Sequence, residues 1–239
     1  MKETQDSIRK VAPSVRILKD VVDVSNAKAV YEAAKRANAW ARTYVSILVN
    51  NAGIVSGKPL LETEDSKIAK TFQVNVLAHF WTVKSLLPKM IEQNFGHVVT
   101  VASIAGLTAA PKMVDYAASK HGAVGFASGL RKELKQMKCN VTTSLICPAH
   151  IKTNLFKGFE QPFVGSLSPD YVAQQILDAV KYRKEVLVMP KLADPRLMQA
   201  LMPSWLVDSI GSALGLDSSM NNIDLTQANK SMSMIKSKL

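Results

Sequence analysis

The sequence has 239 residues and is 47% hydrophobic, which is enough for a single domain with one substantial core. Its 30 basic and 19 acidic side chains give a net charge of +11, which favours anionic partners such as phosphates or membrane headgroups. The basic residues are scattered and aromatics make up only 6% of the chain, so nucleic-acid binding is not predicted. Two cysteines and four histidines without ligand spacing predict neither a disulfide framework nor a metal site. We expect no signal peptide and no membrane-spanning stretch.

Strand and helix patterns alternate from the start of the chain. The first predicted elements are a helix at about 2–12, a strand and its exit at Val15–Val24, a helix capped by Ser25 or Asn26 that runs to about Thr43, and a buried strand at Val45–Val49. They are followed by a long helix at about Glu64–Gln93, a strand at His97–Ala102, a helix at Tyr116–Met137 and a strand at Asn140–Cys147.

The same alternation continues to Pro190. Ser168-Pro169-Asp170 predicts the start of a helix that ends near Arg183, and Glu185–Met189 is the last predicted strand. Strands separated by helices predict an α/β fold with a doubly wound parallel sheet over residues 1–190. Residues 191–239 are predicted to add short apolar helices, interrupted by prolines, and a polar tail to the same domain.

A group of polar residues in a fixed order carries the chemical signal. Tyr116 and Lys120 are spaced to lie one turn apart on the same face of a helix. Ser103 lies upstream at the end of a predicted strand, Asn51-Ala52-Gly53 follows an earlier strand, and Asn75 lies in the helix between them. Taken singly, these residues are more often an interface tyrosine, a solvated lysine, a cap or a satisfied amide. Their joint order points to catalysis.

With these residues, the chain from Val15 to Met189 resembles the short-chain dehydrogenase/reductase family. The run Gly-His-Val-Val-Thr-Val-Ala-Ser and the apolar segment around Pro203 and Trp205 are similar to the branch with retinol and 17β-hydroxysteroid dehydrogenases. The resemblance implies a Rossmann-like fold, NAD or NADP as cofactor, and hydride transfer to or from a lipophilic alcohol or ketone. An apolar C-terminal segment near the substrate fits that class, and core or dimer packing explains it equally well.

The reaction explains the residue types. A tyrosine with an ordinary pKa of about 10 is a poor base at neutral pH, and a nearby Lys120 ammonium is expected to lower the pKa of Tyr116. Tyr116 is therefore the predicted acid/base. Ser103 is predicted to hydrogen-bond the substrate oxygen. The resemblance assigns Lys120 also to the nicotinamide ribose and Asn75 to a relay water.

Further cofactor contacts are implied by the resemblance. Asp23 and Val24 match the pair that contacts the adenine, and Thr153 matches a threonine beside the nicotinamide. The predicted cofactor-binding residues are Asp23, Val24, Asn51, Ala52, Gly53, Tyr116, Lys120, Pro148 and Thr153. Ala149 stands where the family usually has glycine. This substitution has a mild effect if the φ angle of Ala149 is negative.

The glycine-rich turn of the family is not found, because the first glycine of the sequence is Gly53. By alignment to the pattern, the opening strand, its helix and the second strand are missing, so the choice between NAD and NADP is unreadable. Loss of a central strand is expected to expose apolar edges and faces of its neighbours. The alternative hypothesis is a catalytically inactive derivative that acts as a binding or interaction protein.

Location and partners are expectations as well. Ser237, Lys238 and Leu239 match a peroxisomal address read by an import receptor, and the endoplasmic reticulum or lipid-droplet surface is the alternative. The resemblance implies a homo-oligomer. The basic charge and the Leu201–Leu216 segment are consistent with peripheral membrane contact, and a core or lid helix explains that segment equally well.

Overall fold

Four parallel strands form one sheet in a computed structural model that describes residues 2–156, 165–191 and 194–213. The strands are rich in valine and isoleucine, as is typical of strands covered on both faces. Their spatial order follows the chain, β1-β2-β3-β4, with Asn50 of β1 opposite Thr100 of β2. The strands are β1 (Ile47–Asn50), β2 (Gly96–Val101), β3 (Val141–Pro148) and β4 (Val186–Met189).

Helices precede the first strand, connect the strands and follow the last strand along the chain. They are α1 (Lys2–Val11), α2 (Ala27–Ala41), α3 (Asp65–Phe72), α4 (Ala78–Glu92), α5 (Val114–Gln136), α6 (Pro169–Lys181), α7 (Pro195–Leu201) and α8 (Ser204–Ala213). A π-helical turn, Gln73–Leu77, joins α3 to α4 without a break. Short 3₁₀ turns lie at Leu60–Glu62, Ile104–Gly106 and Asn154–Phe156. Within the described ranges, no helix has the length and apolar character needed to cross a membrane.

Helices lie on both faces of the sheet, as in a doubly wound fold. Side chains of α2, α4 and α5 pack against Val98 and Val141 in one core cluster. On the opposite face, Val172 and Ala179 of α6 pack against Val99 and Ile146. Alternate residues of a strand point to opposite faces of the sheet, so adjacent valines of β2 belong to different core clusters. The predicted α/β fold with a parallel sheet is confirmed.

The caps and boundaries follow from local chemistry. Asn26 begins α2 by accepting a hydrogen bond from the backbone N–H of Ala29 at 3.1 Å, and Ser168 begins α6 by accepting one from Tyr171 at 3.2 Å. Both caps were predicted. The long predicted helix at Glu64–Gln93 is present as α3, the π turn and α4. The predicted polar tail from Asp217 lies outside the described residues.

The strand predicted at Val15–Val24 is wrong, since this segment has no regular secondary structure. A strand forms only against a neighbour, and none of the described strands pairs with this segment. Val15 and Val21 are accordingly exposed. On β1, Ile47 and Val49 are 49% and 44% exposed, so the expected exposure of apolar faces is confirmed.

Gly106 allows the turn after β2 to lie directly against α5. A Cβ atom added at this position would lie 2.6 Å from the backbone oxygen of Lys120. That contact involves helix backbone, which cannot move aside as a flexible side chain can. The close approach fixes the separation of the turn after β2 from the middle of α5, and both elements bear predicted catalytic residues.

We therefore expect Gly106→Ala to reduce the free energy of unfolding by about 1–3 kcal/mol, because the added methyl group overlaps helix backbone. The matched control is Gly129→Ala on the exposed face of α5, where an added Cβ meets nothing within 4 Å. That variant should be neutral or more stable by up to about 1 kcal/mol. Urea unfolding of both proteins measures the difference, and equal midpoints would contradict the close contact.

Candidate active site

The carboxyl ends of β1, β2 and β3 open into one cavity of about 490 Å³. Parallel strands place the residues that follow them at the same edge of the sheet, which brings distant sequence segments together. Most of the predicted site residues line this cavity. They are Asn51, Ala52, Gly53, Ser103, Tyr116, Lys120, Pro148 and Thr153.

Ser103 and Tyr116 form the polar centre of the cavity. Ser103 begins the 3₁₀ turn after β2, where its Oγ accepts a hydrogen bond from the N–H of Ala105 at 3.1 Å. Tyr116 is only 4% exposed. Burial raises the pKa of Tyr116 to about 12, and a hydrogen bond with Ser103 opposes this rise without cancelling it. The phenol is therefore held in its protonated form at neutral pH.

Lys120 is a buried cation one helical turn from Tyr116. Its Nζ donates a hydrogen bond to the carbonyl oxygen of Val101, the last residue of β2, at 3.0 Å. Burial lowers the pKa of Lys120 to about 8. The ammonium lies 5.7 Å from the centre of the Tyr116 ring. The predicted lowering of the Tyr116 pKa is wrong for this structure, because burial of the phenol raises that pKa and the opposing effect comes from the Ser103 hydrogen bond.

Asn75 lies in the π-helical turn, fully buried behind the cavity. Its Oδ1 accepts a hydrogen bond from the N–H of Ile54, and its Nδ2 donates to the carbonyl of Ile54 and to Ser119 Oγ, all at 2.9 Å. Both amide hydrogens are thus used within the protein. The side chain fixes the segment after Gly53 against α5, and the relay water assigned to Asn75 remains a prediction.

Gly53 brings the turn after β1 close to this group. A Cβ atom added there would lie 3.5 Å from Lys120 Nζ and 3.6 Å from Asn75 Oδ1. The three residues come from the turn after β1, from α5 and from the π turn. Their contact joins the predicted cofactor-binding turn to the predicted proton-transfer group.

Asp23 and Val24 do not line the cavity. The Asp23 carboxylate accepts hydrogen bonds from the backbone N–H and the hydroxyl of Ser25 and from Lys70 Nζ, which lies 3.1 Å from its Oδ2. Lys70 Nζ also donates to the Ser25 hydroxyl. Burial acts to raise the pKa of Asp23, but these hydrogen bonds outweigh it and lower that pKa. Asp23 therefore lies outside the cavity in an ion pair with Lys70, and its contact with the adenine remains a prediction.

Aromatic residues form a wall of the cavity that the sequence did not predict. Phe156 packs edge-on to Tyr116, with ring centres 5.4 Å apart, and lies 6.1 Å from the His150 ring. The Nδ1 atom of His150 is 2.8 Å from Ser166 Oγ, and burial lowers the pKa of this histidine. These residues lie in the loop and the short 3₁₀ turn after β3, where no periodic pattern marks them. The other apolar residues around the cavity include Ile104, Ala105, Ala110, Met113, Ile151 and Leu155.

Asp115 is a further residue that the sequence did not predict. It precedes Tyr116, is 4% exposed, and accepts hydrogen bonds from Ser56 Oγ at 2.7 Å and Thr71 Oγ1 at 3.0 Å. It thereby ties the chain after β1 and helix α3 to the start of α5. An acidic residue in the first turn of a helix was the available signal, since the helix dipole favours it there.

The residues around the cavity fit the nicotinamide end of a dinucleotide. Gly53 and the buried cation Lys120 lie side by side at the carboxyl edge of a parallel sheet, and Ala149 has a negative φ, so its methyl group imposes no backbone strain. Residues 1–52 contain no glycine. The fit therefore applies to the nicotinamide end alone.

Comparisons with known proteins agree with this geometry. The family model for short chain dehydrogenase matches residues 1–162. Human retinol dehydrogenase 10 is 40% identical over 205 residues, 83% of this chain and 60% of its own length. Estradiol 17-beta-dehydrogenase 11 of Rattus norvegicus is 38% identical over 210 residues, 87% of this chain and 70% of its own.

A solved short-chain dehydrogenase/reductase from Burkholderia phymatum, in complex with NAD, has a TM-score of 0.70 and 27% identity. The match covers 83% of this chain and 78% of that one. The chain thus spans less than two thirds of human retinol dehydrogenase 10, whose matched share is 60%. It spans a larger part of the bacterial structure.

The burial of Lys120 predicts a specific dependence of stability on pH. The folded protein releases the Lys120 proton near pH 8, below the ordinary pKa of 10.5 that the unfolded chain retains. Between these values the unfolded chain binds more protons, so the stability of the wild-type protein rises with pH relative to Lys120→Met. We expect a relative gain of about 1–3 kcal/mol.

Urea unfolding at pH 7.5 and pH 10 measures this change. Lys132→Met, which removes an exposed lysine from the same helix, is the control and should follow the wild type. A wild-type-minus-Lys120→Met difference that does not change with pH would contradict the lowered pKa.

Proposed function

The chain belongs to the short-chain dehydrogenase/reductase family, and we propose that the protein is an NAD- or NADP-dependent oxidoreductase acting on a lipophilic alcohol or ketone. One observation carries the proposal. Tyr116, Ser103 and Lys120 meet in a single buried cavity with apolar walls, at the carboxyl edge of a parallel sheet. Each of these polar groups has a role in moving a proton to or from an oxygen atom next to a hydride acceptor or donor.

Tyr116 is the proposed proton donor and acceptor. When bound, the nicotinamide supplies a hydride to the carbonyl carbon of the substrate, or takes one from the alcohol carbon. In the reductive direction, Tyr116 gives its proton to the substrate oxygen, and its pKa of about 12 keeps that proton in place at neutral pH. Ser103 is hydrogen-bonded to the phenol and also hydrogen-bonds the substrate oxygen as negative charge develops there.

Lys120 is the proposed source of the replacement proton. Its pKa of about 8 allows it to take up and release a proton near neutral pH. After Tyr116 has given up its proton, the nearby ammonium stabilises the phenolate and can return a proton to it. Asn75, packed against Gly53 beside Lys120, is proposed to support a relay water between this lysine and solvent.

The apolar walls favour a lipophilic substrate. Ile104, Met113, Leu155 and Phe156 line the cavity around Tyr116, so a polar substrate would lose hydration there without gaining enough partners. The similarity to retinol dehydrogenase 10 and estradiol 17-beta-dehydrogenase 11 supports an alcohol or ketone of retinoid, steroid or fatty-alcohol type.

The cofactor is proposed to lie along the carboxyl edge of the sheet. The nicotinamide end would be held by Asn51, Ala52, Gly53, Tyr116, Lys120, Pro148 and Thr153, which share the cavity. Asp23 and Val24 are proposed for the adenine end. Similar solved structures include one bound to NAD and another bound to NADP, so the proposal covers both.

Cofactor binding and turnover test the proposal. Titration of the 239-residue chain with NADH and NADPH, followed by fluorescence, should show binding that Lys120→Ala weakens. With a panel of retinoid, steroid and fatty alcohols, Tyr116→Phe should reduce kcat by about 100-fold to 10,000-fold, far more than it weakens nucleotide binding. Tyr171→Phe, an exposed tyrosine on α6, is the matched control and should keep full activity.

Two outcomes would count against this function. A folded chain that binds neither nucleotide would favour the alternative, a non-catalytic protein that binds partners through the same fold. Binding together with turnover that survives in Tyr116→Phe would place the proton transfer on another residue.

We also propose that Ser237-Lys238-Leu239 directs the protein to peroxisomes, with the endoplasmic reticulum or the lipid-droplet surface as the alternative. This tripeptide lies outside the described residues. A fluorescent protein fused to the N-terminus leaves the address accessible, whereas a C-terminal fusion masks it. We expect puncta that overlap a peroxisomal marker only with the N-terminal fusion, and a reticular or droplet pattern with both fusions would support the alternative.

A further inference from the structure

Asp115 is a buried acidic residue that the proposed proton transfer does not use. It is 4% exposed, and each of its two carboxylate oxygens accepts a hydrogen bond from a hydroxyl group. Among the residues that the structure describes, no basic side chain forms an ion pair with it. A carboxylate that is buried with neutral donors alone is costly for folding. Such a cost is expected at positions where a fixed geometry serves function.

The two hydroxyl donors come from separate segments of the chain. Ser56 Oγ donates to the Oδ1 atom at 2.7 Å, and Ser56 follows the predicted cofactor-binding turn at residues 51–53. Thr71 Oγ1 lies 3.0 Å from the Oδ2 atom, near the end of α3. Asp115 itself lies in the first turn of α5, directly before Tyr116. One carboxylate thus joins the segment after β1 and helix α3 to the start of the helix that carries the proposed proton donor.

Thr71 is a fixed point within α3, since it is only 1% exposed. Its hydroxyl hydrogen has two acceptors within reach, the carbonyl oxygen of Lys67 at 2.9 Å and the Asp115 carboxylate at 3.0 Å, and a carboxylate is the stronger acceptor. The preceding residue, Lys70, donates to Asp23 Oδ2 at 3.1 Å. Helix α3 is therefore held at two adjacent residues, so the Asp115 carboxylate is bonded to an anchored element.

The segment after β1 packs against Tyr116 between two hydrogen-bonded residues. Val55 is 7% exposed and belongs to the same buried cluster as Tyr116. The residue before Val55 is held by Asn75, which bonds both its N–H and its carbonyl oxygen at 2.9 Å. The residue after it, Ser56, is held by Asp115. The Asp115 carboxylate therefore helps to fix a side chain that contacts the phenol-bearing residue.

We propose that Asp115 is a positioning residue for the proton transfer of Tyr116. Through Ser56 and Thr71 it holds the segment after β1 against the start of α5, and so fixes the phenol relative to the cofactor-binding turn at residues 51–53. Asp115 does not line the cavity, so it acts through other residues. Because the reaction needs its reacting groups at fixed positions, a small displacement of the phenol lowers the rate. This role rests on the proposed oxidoreductase function and deepens it.

Removal of a single hydroxyl tests this role. Thr71→Val keeps the shape of the side chain and should reduce kcat by about 10-fold to 100-fold, with a much smaller change in nucleotide binding. Thr71→Ser keeps the donor and should retain most of the wild-type kcat. Asp115→Asn should lower kcat at least as much as Thr71→Val. The double variant should lose less than the product of the two factors, because both changes break the same bond. The matched control is Asp170→Asn, at an exposed aspartate in the first turn of α6, and it should keep full kcat.

A second measurement follows the held segment without requiring turnover. Amide hydrogen exchange of residues 51–57, measured by mass spectrometry, reports how firmly the segment after β1 is held. Asp115→Asn and Thr71→Val should speed this exchange by about 10-fold or more, because each removes a bond that holds the segment in place. Thr71→Ser and Asp170→Asn should exchange at the wild-type rate.

The outcomes separate this role from the proposed function. Wild-type exchange in Asp115→Asn, or a Thr71→Ser variant as impaired as Thr71→Val, would overturn the positioning role. Full turnover in Asp115→Asn and Thr71→Val, alongside an inactive Tyr116→Phe, would overturn it while leaving the proposed function intact. A wild-type chain that neither binds nucleotide nor turns over substrate would contradict the proposed function and the positioning role together.

Discussion

The burial of the Lys120 ammonium is the constraint on which the rest of the site depends. A buried charge is costly unless it is hydrogen-bonded. The Lys120 ammonium donates a hydrogen bond to the carbonyl oxygen of Val101 at the end of β2. That bond ties the middle of α5 to the end of the strand. Gly106 then allows close backbone contact at the same helical position, and Gly53 leaves room for Nζ on the other side. A Cβ at Gly106 would overlap the Lys120 backbone, whereas a Cβ at Gly53 would reach only van der Waals contact with Lys120 Nζ.

The same burial sets the acid–base character of the pair. Removal from water disfavours the charged form of each group, so it moves the pKa of Tyr116 up to about 12 and that of Lys120 down to about 8. In this state the phenol keeps its proton and the amine exchanges one readily. The apolar character of the cavity and the protonated state of the phenol therefore have the same cause, because both follow from exclusion of water.

Sequence patterns predicted the elements that depend on local chemistry. Asn26 and Ser168 cap helices as expected, and β1 to β4 fall within a few residues of the predicted strands. The failure at Val15–Val24 has a different origin. Its β-branched residues favour an extended chain, but a strand also requires a partner, and no described strand lies beside it. Partner availability is a property of the whole fold, which a local pattern does not contain.

The sequence by itself determined the order of strands and helices and the spacing that puts Tyr116 and Lys120 on one helical face, because periodicity and capping act over a few residues. Only the tertiary structure decided which groups are buried and how far apart they lie. It buried the Tyr116 phenol and so raised its pKa, engaged both amide hydrogens of Asn75, and brought Phe156 against the phenol. These outcomes depend on contacts between residues distant in the chain, and on the exclusion of water that such contacts produce.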